Sequence, residues 1–138
     1  MISTELARAL RDSGLDWHPA VGDAFRIDRI EAESDVFYLS DMTVEAHELR
    51  TGVELGFNGT TEWALDSVAI EDALWMPAES QLRVLLGAAF VSLHKADAEF
   101  RVVARIAGEL LEYAAVAAED AYARALIALL DEAVPPVE

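Results

Sequence analysis

Residues 55–76 read LGFNGTTEWALDSVAIEDALWM, and the fold turns on how this stretch is read. Leu55 and Phe57 flank Gly56 as the end of an alternating strand, which Asn58 and Gly59 then break. Thr60 or Thr61 is placed to cap a helix. Beyond it Trp63, Leu65 and Val68, with Ala64 and Ala69, suit one helical face, and a break near Ser67 precedes Leu74 and Trp75. On this reading a small sheet hands over to a helical layer, and Trp63 and Trp75 turn inward as packing.

Upstream, residues 36–39, 42–49 and 53–57 read as three strands. In the second, Met42, Val44 and Ala46 alternate with Thr43, Glu45 and His47; in the third, Val53, Leu55 and Phe57 alternate with Glu54 and Gly56. Ser40-Asp41 and Arg50-Thr51-Gly52 are short links, which make antiparallel neighbours and hence a meander with one wet face. Residues 17–35 form an irregular connection, punctuated by Pro19, Gly22 and Asp23, with a short strand suggested by Phe25 and Ile27. The chain starts with an amphipathic helix over 3–11. Ser3 is its N-cap, Glu5 sits in its first turn, and Ile2, Leu6, Ala9 and Leu10 share a face. Gly14 supplies a left-handed stop with Leu15 folded back on the last turn.

Downstream, Pro77 opens a helix in which Leu82, Leu85, Leu86, Ala89, Phe90 and Leu93 repeat at three and four, ending at His94 and Lys95. Residues 100–106 alternate Arg101, Val103 and Arg105 against Val102, Ala104 and Ile106; Ala107-Gly108 turns the chain and 110–116 returns. The last helix covers 118–133, with Tyr122, Ala125, Leu126, Leu129 and Leu130 as its stripe and Asp120 spaced to pair with Arg124. Pro135-Pro136 ends it and leaves 134–138 as a flexible tail. The architecture expected is a single α+β domain over 1–138: an antiparallel β-meander sheet, drawn from 36–57 and 100–116, packed on one face by several helices.

Charge and cysteine usage restrict function. The chain has 10 Lys and Arg against 26 Asp and Glu, a net charge of −16. Such a field repels phosphate backbones and anionic lipid, so neither direct nucleic-acid binding nor a membrane partner is expected. With no Cys there is no disulfide, no thiolate metal site and no cysteine nucleophile. No basic-then-apolar leader follows Met1, and the apolar run at 84–93 is half the roughly 20 residues a spanning helix needs. A cytoplasmic location is the expectation.

Reactive chemistry is sparse. His18, His47 and His94 are scattered, with no HExxH or HxH spacing. Glu45 and His47 share one face of a strand, half of a metal site with Asp41 or Thr43 nearby, but such residues are more often the decoration of a wet face. Residues 56–61 lead a strand into a helix N-terminus, the geometry of an anion site, yet lack the GxxxxGK[ST] lysine and the GxGxxG spacing and read as a turn plus a cap. No GxSxG elbow occurs. Hence no catalytic residue, cofactor or metal ligand is assigned. Trp17, Trp63 and Trp75 serve as core or as binding anchors, and with Glu45 and His47 they are the candidate interface or pocket residues.

The runs YLSDMTVEAHELRTG (38–52), GFNGTTEWALDSV (56–68), ALWMPAESQLRVLLG (73–87) and AEDAYARALIALL (118–130) resemble a family of small acidic proteins from high-GC actinobacteria. The resemblance covers most of the chain and implies no activity and no catalytic residues. Some relatives carry the label of an ATPase-type pilus-assembly protein; this chain has no P-loop lysine motif and is too short for that ATPase, so the label is not carried over. The expected function is that of a non-enzymatic interaction or accessory protein with a protein partner, itself or another, as a homodimer. One alternative is an acidic regulator that occupies a basic protein, with a DNA-binding protein as one option; another is a small-ligand binder or enzyme with a pocket near Trp63 and Trp75.

Overall fold

The computed structural model describes residues 1–28, 35–39, 44–49, 52–57, 67–69 and 72–133, with the backbone alone for 44–49, 52–57 and 67–69. In chain order the elements are α1 (Thr4–Asp12), β1 (Ala24–Ile27), β2 (Phe37–Tyr38), β3 (Val44–Leu49), β4 (Gly52–Phe57), β5 (Ser67–Ala69) and β6 (Ala73–Trp75). There follow α2 (Glu79–Leu86), a 3-10 turn at Gly87–Ala89, β7 (Phe90–Ala96), β8 (Glu99–Ile106), β9 (Glu109–Ala115) and α3 (Ala118–Ala133). The protein is α+β, and the described strands form three antiparallel three-stranded sheets in the orders β2-β1-β6, β3-β4-β5 and β7-β8-β9. Two compact units emerge: Met1–Asp16 with Pro77–Glu138, and Trp17–Met76.

The first unit holds a meander with helices on one face, built from the expected strands at 100–106 and 110–116 and from β7. β8 alternates as its sequence requires: Val102, Ala104 and Ile106 are buried while Arg101 and Arg105 are exposed. α3 lies against β8 and β9, and α1 and α2 lie against α3. Ala118, Ala121, Ala123 and Ala125 are buried on α3, and these small side chains let its backbone approach closely while Tyr122 and Leu126 fill the space between. α1 is tied to α3 at its start, where the amino group of Met1 donates to Glu119 Oε2 at 3.1 Å and the Ser3 N–H donates to Asp120 Oδ1 at 2.7 Å. Asp120, expected to pair with Arg124, thus serves the N-terminus of a different helix.

α1 follows its sequence closely. Ser3 Oγ accepts from the Leu6 N–H, and Ala7 and Leu10 are buried. At its end the Gly14 N–H donates to the Arg11 carbonyl and the Leu15 N–H to the Leu10 carbonyl, the paired bonds of a Schellman motif. Gly14 takes φ 101°, a conformation that a side chain resists.

Several expectations are corrected. The helix expected through Lys95 stops at Leu86, because Gly87 adopts φ 56° and releases Phe90, Val91 and Leu93 into β7. There the ladder to β8 satisfies their backbone, and the apolar three-and-four spacing across 82–93 is divided between a helix and a strand. The helical reading of 60–76 fails wherever the chain is described: Ser67–Ala69 pairs with β4 and Ala73–Trp75 with β1. Thr60, Thr61 and Trp63 lie outside the described residues, as do 134–138. The strand at 36–39 is found as β2, yet it pairs with β1 and not with the β3–β4 hairpin. In that hairpin Gly52, expected in the turn, belongs to β4 opposite Leu49, so the register from Val44↔Phe57 to Leu49↔Gly52 is one residue tighter than a turn over 50–52 implies. The strands from 36–57 and 100–116 belong to separate sheets. The common cause is pairing: short strands are set by partners distant in sequence, which local periodicity does not display.

Replacing Gly14 by Ala should destabilise the first unit by about 1 kcal/mol, because nothing but backbone conformation opposes a methyl there. Urea unfolding followed by far-ultraviolet circular dichroism reads it; an unchanged midpoint would show that the α1 stop carries no stability.

Candidate functional site

The aromatic residues singled out from sequence meet in part. Across the ladder of the second unit Phe25 stands opposite Phe37 on one side and opposite Trp75 on the other, so three aromatic residues form a row. Phe25 and Phe37 stack with ring centroids 5.6 Å apart. Trp17 lies over the row, 5.6 Å from Phe25 and 6.4 Å from Trp75, nearly parallel to the latter at 12°. Phe25 is fully buried with Leu39 and Ala73, and Trp17, Ile27 and Phe37 pack against them. Trp17 and Trp75 therefore turn inward as packing, from a loop and a strand rather than from a helix. Trp63 lies outside the described residues, and so do the side chains of Glu45 and His47 on β3.

Asp23 organises this cluster. It is the buried charged side chain among the described residues, and its Oδ2 accepts from Trp17 Nε1 at 2.9 Å and from the Ala20 N–H at 3.0 Å. Its own backbone is also engaged: its N–H donates to Ala20 O, and its carbonyl accepts from the Leu39 N–H. One carboxylate so closes the turn at 20–23, orients the Trp17 indole and sits where β1 and β2 begin to pair. From sequence Asp23 reads only as a turn former. The signal that reveals it is an acid lodged among Val21, Ala24 and Phe25, six residues from a tryptophan whose N–H needs an acceptor. The Trp75 Nε1–H, by contrast, is buried with no hydrogen-bond partner among the described residues.

The second unit exposes Val21 and Tyr38, and the first unit carries most of the other exposed features among the described residues. On the face of β7–β9 away from α3, Arg101 donates to Glu112 Oε1 at 3.0 Å and also lies 3.8 Å from Glu99. The bond to Glu112, reinforced by its charge and by those of Glu99 and Asp97, raises the Arg101 pKa above its ordinary value. Ser92 Oγ and His94 Nε2 are 2.7 Å apart, the distance of a nucleophile–base pair. Residues two apart on a strand share a face in any case, and this pair stands in water, where an oxyanion gains little from its surroundings. A second arginine is structural. Arg83 on α2 donates through Nη2 and Nε to the hydroxyl of the buried Tyr122 at 2.6 and 3.1 Å, and its guanidinium lies over the rings of Phe90 and Tyr122. These hydrogen bonds raise its pKa, with Glu79 3.5 Å away adding to the effect.

Large apolar side chains also stand in water on this unit: Val84 and Leu85 on α2, Val91 on β7, Leu110 and Leu111 on β9, and Val116 just beyond it. Among the described residues no group of three or more metal-binding side chains converges, and no helix is long and apolar enough to cross a membrane. No family model matches the chain, and no curated protein or solved structure is significantly similar to it.

Asp23→Ala leaves the Trp17 and Ala20 N–H groups without their acceptor and should destabilise the second unit by about 2 kcal/mol. Indole fluorescence during urea unfolding is the readout; a variant with unaltered emission and midpoint would show that this contact does not hold the cluster.

Proposed function

We propose that the chain is a non-enzymatic interaction or accessory protein of the cytoplasm that works through a protein–protein interface, as a homodimer. The observation that carries this reading is the apolar surface of the first unit, above all Leu110 at 55% and Val116 at 77% exposure at the two ends of β9. Isolated apolar side chains are common on any surface, but Leu110 and Val116 share one face of a strand and its exit, where a covering partner would bury both. The aromatic cluster, in contrast, spends its rings internally, and its one buried carboxylate is occupied by two N–H donors.

A second reading keeps its own support. The net charge of −16 suits an acidic regulator that occupies a basic protein. The two respond oppositely to salt. Self-association of like-charged chains is resisted by repulsion that salt screens, whereas attraction to a basic partner is itself screened.

Sedimentation equilibrium over roughly 1 to 100 µM protein should give a mass of twice the 15.1 kDa chain, and the dimer should tighten between about 50 and 500 mM NaCl. A monomer throughout contradicts the homodimer, and a dimer that dissociates with added salt contradicts the apolar interface.

A further inference from the structure

The sheet of the first unit has two edges, and they are protected unequally. β7 is guarded: its register shifts between Phe90 and Ser92, and it carries Lys95, two devices that discourage edge pairing. β9 has neither. It pairs with β8 residue for residue from Ile106↔Glu109 to Phe100↔Ala115, and its sequence ELLEYAA contains no lysine and no proline.

The direction of its free backbone groups follows from the turn that feeds it. Ala107 and Gly108 both take positive φ, 54° and 81°, the signature of a two-residue type I′ hairpin. In such a hairpin the flanking residues, Ile106 and Glu109, exchange both backbone hydrogen bonds. Alternation then turns the N–H and C=O of Glu109, Leu111, Tyr113 and Ala115 towards β8, and those of Leu110, Glu112 and Ala114 towards the open edge.

We propose, building on the homodimer reading above, that β9 pairs antiparallel with β9 of a second copy about a two-fold axis at Tyr113, joining two three-stranded sheets into one of six. In this register Leu110 faces Val116 of the second copy, Glu112 faces Ala114, and Leu111 faces Ala115. The two most exposed apolar side chains of the strand and its exit cover each other, and no glutamate opposes a glutamate. A shift of the axis to Glu112 sets two carboxylates opposite one another, and a shift to Leu111 leaves Val116 uncovered. Glu112 already receives Arg101 at 3.0 Å, so the strand meets its copy with part of its charge compensated.

The test uses the full chain. Ala114→Pro deletes one outward N–H while sparing the bonds to β8, as prolines on edge strands do. Leu110→Lys places a charge in the join and alters no backbone group. The expected result is a dimer for the unaltered protein, with at least about tenfold weaker dimerisation in each variant and native circular dichroism. Should Ala114→Pro fail to fold, Leu110→Lys decides alone. The chain has no other thiol, so Tyr113→Cys should crosslink under mild oxidation and Glu109→Cys should not. Folded variants that dimerise as tightly as the unaltered protein, or crosslinking through Glu109→Cys in place of Tyr113→Cys, overturn the edge pairing while the homodimer stands. A monomeric unaltered protein overturns both.

Discussion

The first unit depends on the seating of α3 on β8. Val102, Ala104 and Ile106 offer one apolar face of the central strand, and the buried alanines of α3 bring the helix down upon it around Tyr122 and Leu126. Because β8 is bonded on both sides, it fixes where β7 and β9 run; because α3 covers one face, the other is left to Arg101, Glu112, Ser92 and His94. Tyr122 links this seat to α2, accepting two hydrogen bonds from Arg83, which itself spans the rings of Phe90 and Tyr122. Asp120 and Glu119 draw in the start of α1. One contact between a strand and a helix therefore orders four further elements, β7, β9, α2 and α1.

How much of this could be read from the residues depends on the range of the interactions involved. α1 and α3 were legible in detail, since caps, stops and apolar stripes lie within the helices they define. β8 was legible because its alternation is local, and β9 because the tight Ala107-Gly108 turn sends the chain back beside it. β7 was not. Leu82, Leu86, Phe90 and Leu93 fit a helical period, and only Gly87 at positive φ, followed by a ladder to β8, divides them. The sheet β2-β1-β6 was hardest: Phe37, Phe25 and Trp75 lie up to 50 positions apart, and their row exists only after pairing.

The same distinction applies to the candidate site. Trp75 was legible as an inward-facing residue and Trp17 as either core or anchor, but their partnership, and the role of Asp23 beneath them, needed the tertiary structure. That β9 is a strand was legible; that it is an edge is a property of topology. An edge acquires meaning only by contrast with its counterpart, and the bulge and lysine of β7 supply that contrast. Acidity enters as the opposing force. A chain at −16 resists its own association, so the proposed pairing of copies has to draw on apolar side chains such as Leu110 and Val116 and on the unpaired backbone edge of β9.

Residue-resolved hydrogen exchange along β9, recorded at two protein concentrations, tests the central claim most directly. The hairpin protects the amides of Glu109, Leu111, Tyr113 and Ala115 at either concentration, and those of Leu110, Glu112 and Ala114 should become protected only as the protein is concentrated. Outward amides that exchange freely in a sample shown to be dimeric would contradict the pairing, and a β9 without the alternation would contradict the hairpin on which it rests.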